Sequence, residues 1–248
     1  MLLATLLAAC GDGSSTDQPA LATPTAAPAA ALPLDRFHYT ASLTLREAGG
    51  GSEAGELFVS TSGDFQWPDR HSLTYTTDLG EGAIVRSVVI IDETAWFRQD
   101  GEPWRKTDRD DEQVADVLDV AFSAVRPDFL GGPEFEAVRA NVRDLPSTEE
   151  RVNDVTANHY RVGTEGRRFF ESFLAADQAF ENIENVRWEL WLAKLGGWPV
   201  RLLVTGTFTS DVRMLDSLEL EAPTLWELRI DVSRPNDPTL LVQSPDED

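Results

Sequence analysis

Few side chains in this sequence are of the types that perform chemistry. The chain has one cysteine, Cys10, and three histidines, His38, His71 and His159, which lie far apart along it. It contains no Gly-x-Ser-x-Gly turn, no His-Glu-x-x-His helix and no glycine-rich phosphate loop. His38 falls on the polar side of an alternating segment, so we interpret it as an exposed strand residue. The sequence therefore predicts no enzyme activity, no metal site and no cofactor.

The acidic run at residues 108–112 is one further candidate for cation binding. It lacks the alternating oxygen ligands and the turn glycine of a calcium loop. Carboxylates directly before a helical apolar pattern are favoured for another reason, because they meet the positive end of the helix dipole. We expect this run to be the solvated start of a helix.

Cys10 lies where a lipid can be attached. Residues 1–9 form a short apolar run that cannot cross a bilayer as a helix but fits the apolar part of a secretory signal peptide. The tetrad at residues 7–10, Leu-Ala-Ala-Cys, resembles a bacterial lipobox. This resemblance implies that the Cys10 thiol receives a diacylglycerol, that the chain is cut before it, and that the new amine can take an acyl chain such as palmitate. The alternative is a frayed apolar terminus with a chance cysteine.

Residues 11–33 have the composition of a tether. They are mostly Gly, Ser, Thr, Ala and Pro, and such a segment buries too little apolar surface to offset its ordering entropy. We expect residues 10–33 to be a lipidated cysteine and a disordered tether with a mean reach of about 25–30 Å. Two or three acyl chains, at about 0.8 kcal/mol per buried methylene, would hold it stably in a membrane. The predicted location is the extracytoplasmic cell envelope.

Charge and cysteine content narrow the possible partners. The chain carries 21 Lys and Arg against 43 Asp and Glu, a formal net charge of -22. A surface this acidic repels phosphate backbones, so the sequence predicts no nucleic-acid binding. Since Cys10 is the only cysteine, the folded part has no disulfide and depends on its apolar core.

Alternation of apolar and polar residues predicts an antiparallel sheet with one covered face and one wet face. Strands are predicted at residues 37–46, 57–67, 73–79, 84–91, 158–163, 186–192, 200–208 and 226–232, with a hairpin at residues 96–104. Residues 88–91 are apolar on both faces, which predicts a central strand.

Helical spacing interrupts the strands in the middle of the chain. Residues 112–125 and, more weakly, residues 134–140 follow this spacing, and residues 168–180 carry an aromatic ridge. No internal repeat divides the chain. We therefore predict a signal peptide at residues 1–9, one α+β domain at residues 34–235, and a loose acidic tail at residues 236–248.

The order of strands, helices and further strands behind a lipobox resembles the LolA-like lipoprotein superfamily, and within it the mycobacterial LppX/LprG-type lipid-binding lipoproteins. The resemblance covers residues 37–235 and rests on the hairpin at 90–98 followed by Trp104, on residues 151–162, and on the strand at 189–192 leading to 198–202. It implies a strongly curved antiparallel β-sheet, an open half-barrel whose concave face is covered by helices and holds acyl chains.

The residues that would line such a cavity share the apolar side of the early strands or the aromatic ridge. They are Leu43, Leu57, Val59, Gly63, Phe65, Trp67, Tyr75, Phe169, Phe170 and Phe173. Gly63 and Thr61 are small and would leave room. However, an alternating apolar face is also the ordinary pattern of a packed core, and the sequence leaves both interpretations open.

Three functions remain compatible with this sequence. The first is a membrane-anchored lipoprotein that binds or transfers a hydrophobic ligand, a lipid or an acylated molecule, in the cell envelope. The second is an interaction or sensor module of the same fold, with a filled core and a protein partner. The third, a hydrolase, has no recognisable motif to support it.

The lipid anchor is directly testable. We expect Cys10→Ser to leave an unlipidated protein that is no longer held stably in membranes, because the acyl chains supply the anchoring energy. Mass spectrometry of the wild-type N-terminal peptide should show an acylated Cys10. An intact, uncleaved peptide that still begins at Met1 would contradict this prediction.

Overall fold

Strands make up most of the folded chain. The computed structural model describes residues 34–48, 56–78, 82–122, 127–162, 183–214, 218–220 and 222–245. The predicted signal peptide and tether, and the helix predicted at residues 168–180, lie outside these described residues.

Thirteen strands and three helices are formed by the described residues. The strands are β1 (Arg36–Glu47), β2 (Glu56–Gln66), β3 (Arg70–Asp78), β4 (Ala83–Ile91), β5 (Thr94–Gln99), β6 (Arg105–Asp108), β7 (Ser147–Val152), β8 (Val155–Val162), β9 (Ile183–Ala193), β10 (Pro199–Phe208), β11 (Val212–Met214), β12 (Leu218–Leu220) and β13 (Thr224–Ser233). The helices are α1 (Glu112–Phe122), α2 (Pro127–Gly131) and α3 (Pro133–Val142).

Eleven strands form one antiparallel sheet in the order β6-β5-β4-β3-β2-β1-β13-β10-β9-β8-β7, while β11 and β12 pair separately. The two ends of the domain meet at its centre, where β1 pairs with β13 and Tyr39 lies opposite Val232. The early and late runs of strands therefore belong to a single sheet, which confirms the predicted large antiparallel sheet.

The cross-strand register places the apolar side chains of neighbouring strands on the same side of the sheet. Phe37 lies opposite Phe65, and Leu43 lies opposite both Val59 and Leu228. We call this side the apolar face. The opposite side, the polar face, carries short hydroxyl residues along the same strands: Thr40, Ser42, Ser60, Ser62, Thr74 and Thr76.

All three helices contribute to the same buried cluster as the apolar face. The helical members of this cluster are Val114, Val117, Phe129, Leu130, Phe135, Val138 and Val142. The start of α1 is capped by Asp111, whose carboxylate accepts hydrogen bonds from the backbone N–H of Gln113 at 3.0 Å and from the Thr107 hydroxyl at 2.8 Å. The predicted helix start is confirmed. None of the described helices is long and apolar enough to span a membrane.

The strand that is apolar on both faces, β4, is the third from one edge of the sheet, so the prediction of a central position was wrong. A local contact explains why β4 carries apolar residues on its second face. Val89 packs on the polar-face side with Trp96 and with Val242 from the chain's end. A strand can thus be buried on both faces near an edge when another segment covers it.

Residues 234–245, which we call the C-terminal segment, pack against the sheet. Leu240 and Val242 are each 2% exposed. The Asn236 side-chain oxygen accepts a hydrogen bond from the Asp35 backbone N–H at 2.8 Å, and the Arg36 guanidinium donates to the Leu240 carbonyl at 3.4 Å. The packed chain therefore continues past residue 235, where the sequence had predicted a loose acidic tail.

The central position of β13 predicts a large cost for cavity formation there. Leu228 is 1% exposed between Leu43 and Val204, so Leu228→Ala should lower the free energy of unfolding by about 2–5 kcal/mol. Leu241→Ala is the matched control, because Leu241 is 54% exposed and should change stability by about 0.5 kcal/mol or less. Urea unfolding followed by tryptophan fluorescence measures both variants. If the two substitutions lowered the free energy of unfolding equally, the result would contradict this placement of the core.

Candidate functional site

The middle of the apolar face is the candidate site. Strand β1 is the sixth of the eleven strands, and its residue Leu43 is only partly buried, as is Ala41, which also borders the groove on the polar face. Their cross-strand neighbours are nearly inaccessible: Leu228 and Ile230 are 1% exposed, and Val59 is 5% exposed. The centre of the apolar face is therefore less completely buried than the side chains around it, although Leu43 packs against the core.

Most of the predicted lining residues of the early strands lie on this face. Leu43, Val59, Gly63, Phe65 and Tyr75 share it by register, and the backbone of Leu57 pairs opposite Leu45. Their role as ligand contacts stays a prediction. Phe169, Phe170 and Phe173 lie outside the described residues.

Trp67 lies just beyond the end of β2. Its side chain is 45% exposed, and its ring meets the ring of Phe65 edge-on with 6.4 Å between centroids. It therefore stands at the end of the face, with much of its surface towards solvent.

Gly63 does not leave the space that the sequence suggested. A Cβ atom at this position would lie 2.6 Å from the Ser72 carbonyl oxygen and 2.9 Å from the Tyr39 hydroxyl. The Tyr39 ring fills the volume that the missing side chain provides, and Thr61 beside it is only 4% exposed. Glycine is required here for the close approach of Tyr39, so the accessible surface lies further along β1.

Tyr39 also forms the polar contact that the sequence analysis missed. Its hydroxyl is hydrogen-bonded to His71 Nε2 at 2.7 Å, within a cluster that includes the rings of Phe37 and Phe65. Burial, together with the charge of Arg109, lowers the pKa of His71 to about 3, and burial raises the pKa of Tyr39. Both side chains are therefore neutral at pH 7, and this part of the face carries no charge.

The polar face contains a groove of about 450 Å³ lined by the hydroxyls of β1, β2 and β3 and by Arg229 and Asp231. Beside it, His38 Nδ1 lies 2.7 Å from Asp64 Oδ1, and His38 Nε2 lies 3.5 Å from Ser62 Oγ. Ser62, His38 and Asp64 therefore lie in the order of a catalytic Ser-His-Asp triad. However, β1 and β2 are each paired on both sides, so their backbone N–H groups are used in the sheet, and an acyl transfer site needs free donors for the oxyanion.

The third histidine links three strands near the other edge of the sheet. His159 Nδ1 lies 2.8 Å from Glu150, its Nε2 lies 2.7 Å from Glu189, and its ring stacks on Trp191 with 4.1 Å between centroids. The Trp191 indole N–H donates to Glu150 at 3.0 Å. These groups satisfy one another's hydrogen bonds, and the cluster therefore links the three strands β7, β8 and β9. Among the described residues, no group of three or more His, Cys, Asp or Glu could hold a metal ion.

The solved structures named here are similar to this chain at low sequence identity. The sequence matches no protein-family model and no curated protein. Among solved structures, the chain is similar to a LolA superfamily protein from Nitrosomonas europaea, with 12% identity, a TM-score of 0.26, and coverage of 88% of this chain and 90% of the other. It is also similar to a DUF1329 family protein from Desulfovibrio piger, with 10% identity, a TM-score of 0.24, and coverage of 82% and 87%. Similarity this low carries no weight for fold or function.

The buried His71 predicts a specific pH dependence of stability. Its pKa is about 3 when folded and 6.5 in its unperturbed state, so the unfolded chain binds the extra proton first. The stabilisation is complete above pH 6.5 and is lost as the pH falls towards 3. From pH 7.5 to pH 5, His71 alone should remove about 2 kcal/mol of unfolding free energy.

Urea unfolding across this pH range checks the assignment. His71→Gln should flatten the dependence, whereas Tyr39→Phe removes the hydrogen bond but keeps the buried imidazole and should retain it. An unchanged pH dependence in His71→Gln would contradict a neutral, buried His71.

Proposed function

We propose that this chain is a membrane-anchored lipoprotein of the bacterial cell envelope that binds or transfers a hydrophobic ligand, a lipid or an acylated molecule. The observation that carries the proposal is the partial exposure of Leu43 at the centre of the apolar face. The resemblance to LppX/LprG-type lipoproteins supports the same function, the binding or transfer of a hydrophobic ligand. In this proposal, the sheet curves strongly and the helices cover its concave face.

The binding energy in this proposal comes from burial alone. An acyl chain placed on the apolar face would gain about 0.8 kcal/mol for each methylene removed from water. No covalent step is required, and we propose no enzymatic role. The neutral state of Tyr39 and His71 suits such a ligand, because a charged group buried beside the hydrocarbon chain would be costly to desolvate.

The proposed anchor gives the domain access to its ligand. Acyl chains on Cys10 would hold the protein at the membrane, and the tether at residues 11–33 would let the domain move off its surface. The net charge of -22 would repel anionic headgroups and keep the domain from lying flat on them. This arrangement fits a protein that collects or delivers a lipid near a bilayer.

A second candidate, an interaction or sensor module with a filled core, has one observation in its favour. The Tyr39 ring fills the space over Gly63, and most residues of the apolar face are nearly inaccessible. In this alternative, the chain would act through a protein partner on its surface and would bind no lipid.

One substitution separates the two candidates. In a binding face, Leu43→Trp would fill the accessible space, so the affinity for a fluorescent fatty acid should fall about tenfold or more while the unfolding midpoint changes little. Leu241→Trp is the control, because Leu241 is 54% exposed, and it should bind like the wild type. Fluorescence titration and urea unfolding measure the two quantities.

The filled-core alternative predicts a different pattern. The wild-type protein would bind no fatty acid, and Leu43→Trp would cost about 1–3 kcal/mol of stability because it overpacks occupied space. That pair of results would overturn the lipid-binding proposal.

A further inference from the structure

An arginine lies on the apolar face in β4, the third strand from one edge of the sheet. Arg86 in β4 lies opposite Tyr75 on one side and opposite Gln99 on the other. It precedes Val88 by two residues, and Val88 is 1% exposed in the main core. Because side chains two apart on a strand share a face, Arg86 projects on the apolar side of the sheet. It is partly buried there.

Among the described residues, Arg86 has no carboxylate partner. Its Nε donates a hydrogen bond to the Gln99 side-chain oxygen at 3.3 Å, a neutral acceptor. On the polar face, by contrast, Arg201 and Arg229 both reach the carboxylate of Asp231, at 2.7 Å and 2.6 Å. In a chain with 43 acidic residues, Arg86 is thus a cation on the apolar face whose charge is not neutralised by a described carboxylate.

Two hydroxyl groups lie beside this arginine. Tyr75 and Thr77 are both buried on the same face, and their side chains are hydrogen-bonded to each other. Burial raises the pKa of Tyr75, and the bond from Thr77 and the charge of Arg86 act against this rise. The positive charge of Arg86 therefore acts on the Tyr75 hydroxyl. We call the three side chains, Arg86, Tyr75 and Thr77, the Arg86 group.

The Arg86 group lies in register with the centre of the face, across Thr61 and Tyr75, which are nearly inaccessible. Cross-strand register places Ala41, Thr61, Tyr75 and Arg86 in one row across β1, β2, β3 and β4. Three strand spacings of about 4.8 Å separate the ends of this row by about 14 Å. The next row contains Leu43, Val59 and Thr77. An extended acyl chain lying across these rows would connect the surface of Leu43 to the guanidinium.

We infer that the Arg86 group binds the carboxylate of a fatty acid whose chain lies on the apolar face. The guanidinium fork suits a carboxylate, because it donates two parallel charge-assisted hydrogen bonds. The Tyr75 hydroxyl, which accepts the hydrogen bond from Thr77, can donate to the same oxygens. This inference rests on the proposed lipid-binding function and adds to it the charge and class of the ligand.

The test compares two probes that differ only in charge. The full-length Cys10→Ser chain, which lacks the proposed anchor, is titrated at pH 7.4 with a fluorescent hexadecanoic acid and with its methyl ester. We expect the acid to bind about tenfold more tightly, since a charged hydrogen bond accounts for a difference of this order. Arg86→Gln should remove this preference by weakening acid binding about tenfold and ester binding much less. Arg86→Lys keeps the charge but loses the planar guanidinium. Its preference for the acid should therefore lie between those of the parent chain and Arg86→Gln.

Arg46→Gln is the matched control, because Arg46 is an exposed arginine on the polar face of β1. It should bind both probes like the parent chain. If the parent chain binds acid and ester equally, or if Arg86→Gln weakens both probes alike, the carboxylate site is overturned while lipid binding stands. If the parent chain binds neither probe, the proposed function fails and the carboxylate site fails with it. The comparison of the two probes in the parent chain needs no variant, so equal binding would overturn the carboxylate site even where a substitution harms folding.

Discussion

The pairing of β1 with both β2 and β13 is the interaction on which the rest of the structure depends. It joins a strand near the start of the domain to a strand that ends almost 200 residues later, and it fixes their register. Side chains alternate with a period of two, so a slip of one residue would turn Phe37, Leu45 and Leu228 towards the polar side. This register therefore creates a single apolar face, against which the helices pack.

The two faces of the sheet are stabilised differently. The apolar face depends on burial, and its polar pair Tyr39 and His71 is neutral. The polar face depends on side-chain pairs across neighbouring strands, such as Arg201 with Asp231 and His159 with Glu189. These pairs span strands that the apolar cluster also connects, so the sheet is held from both sides. This support lets the centre of the apolar face keep accessible surface around Leu43 without unfolding the sheet.

Local patterns in the sequence predicted much of this fold. Alternation located β1, β2, β3 and β13, and helical spacing behind an acidic run located α1. The edge strand β7 was missed, because Ser147–Val152 carries polar and charged residues without an apolar side. The packing of Val242 against Trp96 was missed as well, since it joins residues far apart in the chain. Contacts of this kind have no signature in a local pattern.

The candidate site was predictable only in part. Alternation identified Leu43, Val59 and Phe65 as sharing a face, but it could not show that Tyr39 occupies the space over Gly63. Nor could it show that Arg86 joins that face, since a lone arginine in a strand is usually exposed. Both facts depend on the register between strands, which a single strand's sequence does not contain.

Contact between a bound acyl chain and the centre of the apolar face is the central claim of this account. Isotope-edited NMR of the protein with ¹³C-labelled palmitate measures it directly, through nuclear Overhauser effects between chain methylenes and protein methyl groups. The account predicts contacts to the methyl groups of Leu43 and Val59, with none to Leu203 on the polar-face side. Contacts confined to Leu203 and its neighbours, or no contacts at saturating palmitate, would contradict it.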